Sequence, residues 1–201
     1  MKDKIYSINL GLIGTEDSNL EIFIDHLKEK AFKYTSENLI YEFFLYHEGI
    51  PLKLRTVIAN GFEDLFHKNE SFNHFDIIIV AVNLYNNDSI SNYTIQNYSE
   101  FRNYFFFNGI SVFAGVDPFL LLQEKPPNKR GITEFNLIQK TKELEFQYCF
   151  KIQDKKKDFT DLFNKILNYI NLKLKFLNPE LFKRVKPNRE NSNRRVNLYN
   201  E

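Results

Sequence analysis

IYSINLGLIGTEDSNLEIFIDHL, residues 5–27, decides the fold. Ile5–Leu12 is mostly apolar and of strand length. Gly14 then interrupts it. From Asn19 to Phe32 the apolar residues Leu20, Phe23, Ile24, Leu27 and Ala31 recur at helical spacing. A buried strand, a glycine turn and an amphipathic helix are therefore expected in that order. Proteins that cradle phosphate carry their loop at this place, with the pattern G-x-x-x-x-G-K-[ST]. Read from Gly14, that pattern meets Asn19 for its second glycine, Leu20 for its lysine and Glu21 for its Ser/Thr. The frame of a phosphate loop is present without its chemistry.

Working outward, Leu52–Ile58, Asp76–Val82, Ser111–Gly115 and the shorter Gln147–Ile152 also read as buried strands. Near-continuous apolar runs of this length suit a parallel sheet covered by helices. Leu39–Tyr46 precedes the turn signal His47-Glu48-Gly49 and is expected to pair antiparallel with Leu52–Ile58. Helices are expected over Asn92–Phe106, over Ile132–Leu144 (apolar at Phe135, Ile138 and Leu144) and over Asp158–Phe176. Strands alternating with helices predict an α/β protein. Its sheet would be mostly parallel and six-stranded, with one antiparallel hairpin strand and helices on both faces. The domain spans residues 1–177. Residues 178–201 form a basic polar extension, in which a short helix can form over Pro179–Val185.

Composition bounds the function. The 201 residues include 43% hydrophobic and 16% aromatic side chains, with 21 Phe and 11 Tyr. That supports a real core and excludes global disorder. A net charge of +1 argues against a broad nucleic-acid footprint. The single cysteine, Cys149, allows no internal disulfide and fits a reducing cytoplasm, the expected location. The N-terminal residues are too polar for a secretory signal, and no apolar run has the length of a membrane span. Lys183, Arg184, Lys186, Arg189, Arg194 and Arg195 make the tail basic. It lacks an apolar stripe and a lipidation cysteine, so a solvated or partner-ordered tail is expected, with peripheral contact to acidic lipid as the alternative.

The order strand, phosphate-loop position, helix, hairpin and three further strand–helix units resembles the Ras-like small GTPases, including the Rab and Arf branches. The likeness covers roughly Lys4 to Leu174. Its best local match is HEGIPLKLRTVIANGFED, residues 47–64. Gly61 falls on the glycine of the family's D-x-x-G, Ile58 on its aspartate, and Phe62 where many members carry the catalytic glutamine. That aspartate holds magnesium and that glutamine orients water, which Ile and Phe cannot do. The family's switch threonine would fall near Asn38, close to Thr35 and Ser36. Of the base-recognition motif N-K-x-D only Asp117 matches, in FAGVDPF. Of the last motif, S-A-K, only Lys155 matches. Glu21 would set a carboxylate against phosphate. At ~4 Å and an effective dielectric near ~20, like charges repel by about 4 kcal/mol.

The resemblance thus implies a pseudoGTPase, a P-loop GTPase-like (Ras-like) fold without turnover, acting as an interaction or scaffold subunit with no cofactor. The alternative is an atypical GTP/GDP-binding switch using Gly14, Ser18, Asn19, Gly61, Asp117 and Lys155. Phe62, Leu65, Phe66 and Phe72 occupy the family's effector-facing region and would form a protein interface. By analogy the partner would be a protein of GTPase or longin-like fold. Glu16, Asp17 and Ser18 are read either as residual phosphate contacts or as caps of the following helix. Asp117-Pro118 is read either as the remains of a purine pocket or as a strand-end turn. No metal site is expected from the scattered His26, His47, His67 and His74. The aromatic series from Tyr93 to Phe107 serves the core, an exposed patch, or both.

Overall fold

A computed structural model describes residues 5–37, 40–68, 74–91, 97–120, 131–177 and 179–185. The strands are β1 (Tyr6–Gly14), β2 (Lys33–Glu37), β3 (Ile40–His47), β4 (Ile50–Ala59), β5 (Ile77–Asn83), β6 (Ile110–Val116) and β7 (Tyr148–Ile152). The helices are α1 (Glu21–Lys30), α2 (Phe62–Lys68), α3 (Asn87–Ser91), α4 (Tyr98–Tyr104), α5 (Glu134–Glu143), α6 (Lys157–Leu177) and α7 (Pro179–Val185).

One sheet carries the strands in the order β2-β3-β4-β1-β5-β6-β7. β3 is antiparallel to both β2 and β4, and the other pairs are parallel. β3 therefore runs against all the rest. The expected α/β sheet with one opposed hairpin strand is present, but it has seven strands rather than six. The addition is β2. Its sequence, KYTSE, is exposed at every position, so it lacks the apolar alternation that marks a half-buried strand. The β3–β4 connection is two residues long. Glu48 and Gly49 both have positive φ, 49° and 79°, as the tight hairpins matched to strand twist require.

Strand alternation sends side chains to two helix-covered faces. On the first, Ile8, Leu10 and Leu12 meet Phe23 and Leu27 of α1 and Phe159, Leu162, Ile166 and Ile170 of α6. On the second, Ile13, Ile78, Val80 and Phe113 meet Phe62 and Leu65 of α2, Phe101 of α4 and Leu137 of α5. Each fully buried large apolar side chain contributes about 1.5–3 kcal/mol.

Several expected helices shift. Asn92–Phe106 reduces to α4 among the described residues, with 92–96 outside them. On α5 the expected apolar face is buried only in part: Leu144 packs on the second core, whereas Phe135, at 72%, and Ile138 are exposed. Leu137 and Thr141 turn inward instead. These two lie four apart, on one face of the helix. The short helix at Pro179–Val185 is present as α7, and Phe182 packs on the first core.

His26 sits in that first core. Its ring stacks on Phe159 at 5.3 Å and on Phe163 at 5.6 Å. Burial, and then Lys30, lowers its pKa to about 4, with Glu29 opposing and Lys155 adding. At neutral pH it is an uncharged core ring.

Candidate functional site

The carboxyl ends of β1, β5 and β6 converge, and the chain after each one folds back on its neighbours through polar side chains. After β1, Glu16–Ser18 forms a single 3-10 turn. The Ser18 N–H and hydroxyl both donate to the Thr15 carbonyl, at 2.9 and 2.6 Å. The Thr15 hydroxyl donates to the Asp17 carboxylate. Asn19 then takes the left-handed conformation, φ 52°, which its short polar side chain tolerates. Its amide donates to the Pro118 carbonyl at 3.2 Å.

Gly14 is required by this packing. A Cβ there would lie 2.3 Å from Ser18 Oγ, 2.8 Å from Leu20 Cδ2 and 3.0 Å from the Ala81 carbonyl oxygen. Leu20 is buried in the first core. The turn is thus filled by its own residues.

Asp17 links it to the end of β5. Its carboxylate accepts from Asn86 Nδ2 at 2.7 Å and from Asn83 Nδ2 at 3.3 Å. Those asparagines also build the loop that holds them. Asn83 Oδ1 accepts the Tyr85 N–H, and Asn86 Oδ1 accepts the Asp88 N–H. Ser89 Oγ donates to the carbonyls of Asn83 and Asn86. Asn83, Tyr85, Asn86 and Ser89 were not among the residues singled out from the sequence. The run NLYNNDS does carry the signature of side chains that bond the backbone two residues on.

Glu16, Asp17 and Ser18 do not cap α1. Its N-cap is Leu20, without a side-chain cap bond. The Asp17 carboxylate bonds within the 3-10 turn and to the β5 loop instead, which corrects the capping expectation.

Asp117 behaves as a strand-end turn residue. Its Oδ1 accepts the Phe119 N–H at 2.9 Å, and its Oδ2 accepts the Tyr85 hydroxyl at 3.2 Å. Burial, then the Asp117 carboxylate, pushes the Tyr85 hydroxyl above its ordinary pKa. Lys155 pairs instead with Glu29 of α1 at 3.1 Å. The open cleft of about 460 Å³ at this end is lined by Leu84, Tyr85, Ile132, Thr133 and Lys151 among others. Its described lining includes neither Asp117 nor Lys155.

Gly61 opens α2, its carbonyl accepting the Leu65 N–H at 3.1 Å. Asp64 accepts from the Asn60 N–H at 3.0 Å and from Lys68 Nζ at 2.6 Å. Burial works to raise the Asp64 pKa, but the bonds from Lys68 and Asn60 outweigh it and hold the carboxyl below its ordinary range. Phe62 and Leu65 are buried, so they do not present a surface. Phe62 packs on Phe101 at 5.1 Å and on Tyr98 at 5.7 Å. Phe66 is half-buried and packs on Phe105 at 4.8 Å and on Tyr104 at 5.3 Å. Tyr104 and Phe106 are 72% and 88% exposed. The aromatic series is therefore divided between core and surface. Phe72 and Asn38 lie outside the described residues. Cys149 is half-buried, and burial raises its thiol pKa, which makes it a poor nucleophile.

Fold and site together define an α/β protein whose β1–α1 loop is closed by its own side chains. No family model matches the chain, and no curated protein matches it. Among the described residues no helix is long and apolar enough to cross a membrane.

Proposed function

We propose that the chain is a degenerate small-GTPase-like protein, a pseudoGTPase that serves as an interaction subunit without turning nucleotide over. The composition of the sheet supports this reading: apart from the edge strand β2 it has six strands, parallel to one another except for the opposed hairpin strand β3.

The closed β1–α1 loop carries the functional part. Phosphate binding at such a loop needs open backbone N–H groups and a cation. Here Leu20 is buried where the cation would stand, Ser18 covers Gly14, and the Asp17 carboxylate brings negative charge. The interaction surface moves from Phe62 and Leu65 to the rings beside them, the half-buried Phe66 and the exposed Tyr104 and Phe106. A protein partner, of GTPase or longin-like fold by analogy, would cover that patch.

Nucleotide content tests the proposal. Purified protein is denatured and its supernatant separated by anion exchange, while a fluorescent GTP analogue is titrated with and without magnesium. The expected result is no nucleotide and no saturable binding. Stoichiometric nucleotide, or micromolar binding that requires magnesium, would overturn the proposal in favour of an atypical nucleotide switch.

A further inference from the structure

We propose that β2 is the interface of a symmetric homodimer, in which Lys33–Glu37 pairs antiparallel with the same strand of a second copy. Among the described strands β2 ends the sheet, and all five of its residues are exposed. An edge strand presents a row of backbone donors and acceptors to whatever strand can reach it. The opposite edge is less open: β7 is half-buried along most of its length, and Lys165 lies over its Tyr148 ring at 5.5 Å.

What selects a second copy is the charge order along β2. Antiparallel self-pairing centred on Thr35 sets Lys33 opposite Glu37 at both ends, and Tyr34 opposite Ser36. Alternation puts Lys33, Thr35 and Glu37 on one face, so both ion pairs form on the same side of the joined sheet. A two-fold interface must complement itself, and this sequence does. Protective edges carry charges that repel strand addition, whereas here the charges match their own reversed copy. Phe32 and Tyr46, stacked at 5.0 Å and both exposed, stand beside the strand and add apolar area. Five residues span only about 17 Å, so the dimer is a weak, concentration-dependent one. The inference does not depend on the nucleotide reading.

Sedimentation equilibrium of the full chain is expected to show a monomer–dimer equilibrium. Lys33→Glu and Glu37→Lys each place like charges together at both ends and should weaken it at least about tenfold. Mixed in equal amounts, the two variants each carry the charge the other needs. They should associate as strongly as the wild type. A wild type that stays monomeric would overturn the proposal, as would a dimer indifferent to both variants or a mixture no tighter than its components. Amide exchange of the wild type gives a reading that needs no variant. Exchange at residues 33–37 should slow as concentration rises, and exchange independent of concentration would also overturn the proposal.

Discussion

The β1–α1 loop is closed by hydrogen bonds, whereas the helix that follows β4 is closed by rings. Thr15, Asp17, Ser18, Asn83 and Asn86 knit the first together. Phe62 and Leu65 anchor the second against Phe101 and the sheet. Each polar link is worth only about 0.5–1.5 kcal/mol net, because water offers the same bonds when it opens. Losing a large buried ring costs about 3–5 kcal/mol, because water offers nothing in exchange. Of the two regions, the loop is therefore the easier to open, and α2 is the fixed one.

The largest expected effect falls on the ring-closed side. Phe62→Ala should lose about 3–5 kcal/mol of stability in chemical denaturation. A loss below about 1 kcal/mol would mean that the rings around it collapse freely, and the contrast would fail.

Asp17→Ala should cost less, about 1–3 kcal/mol, through the Asn83 and Asn86 amides that it leaves without their acceptor. It should also speed amide exchange in residues 14–20 while leaving α2 unchanged. If exchange in α2 rose equally, the two regions would be one cooperative unit.

The smallest effect probes the polar latch on α2. The Asp64 pKa is lowered in the folded state, so its contribution is present above the ordinary aspartate value of 3.8 and is lost as pH falls through the folded value. Lys68→Met removes the strongest donor and should flatten that acid dependence. The change should stay under about 1 kcal/mol, because the Asp64 side chain is about a third exposed. An unchanged acid limb in pH-dependent unfolding would show that Lys68 does not set it.

How much of this was legible follows from where each signal resides. Ile77–Val82 had to be a buried strand because its run is apolar throughout, and the Glu48-Gly49 turn announced itself through glycine. The loop frame at Gly14 was readable for the same reason. The partners that close it were not, because Asn83 and Asn86 are distant in sequence and meet Asp17 only once β1 and β5 lie side by side. β2 was silent because an exposed strand leaves no hydrophobic period. Phe62 and Leu65 read equally well as core or surface, since a short apolar helix face does not say what it packs against.

The Glu48–Gly49 turn has a consequence for register. A strand slipped by one residue turns every side chain to the opposite face. Here a longer turn would exchange Phe43 and Leu45, which belong to the first core, for Phe44 and Tyr46 on the other side of the sheet. Among the described strands β2 is paired only to β3, so the slip would carry Lys33–Glu37 with it. Two residues with positive φ therefore hold in phase an entire sheet margin to which they do not belong.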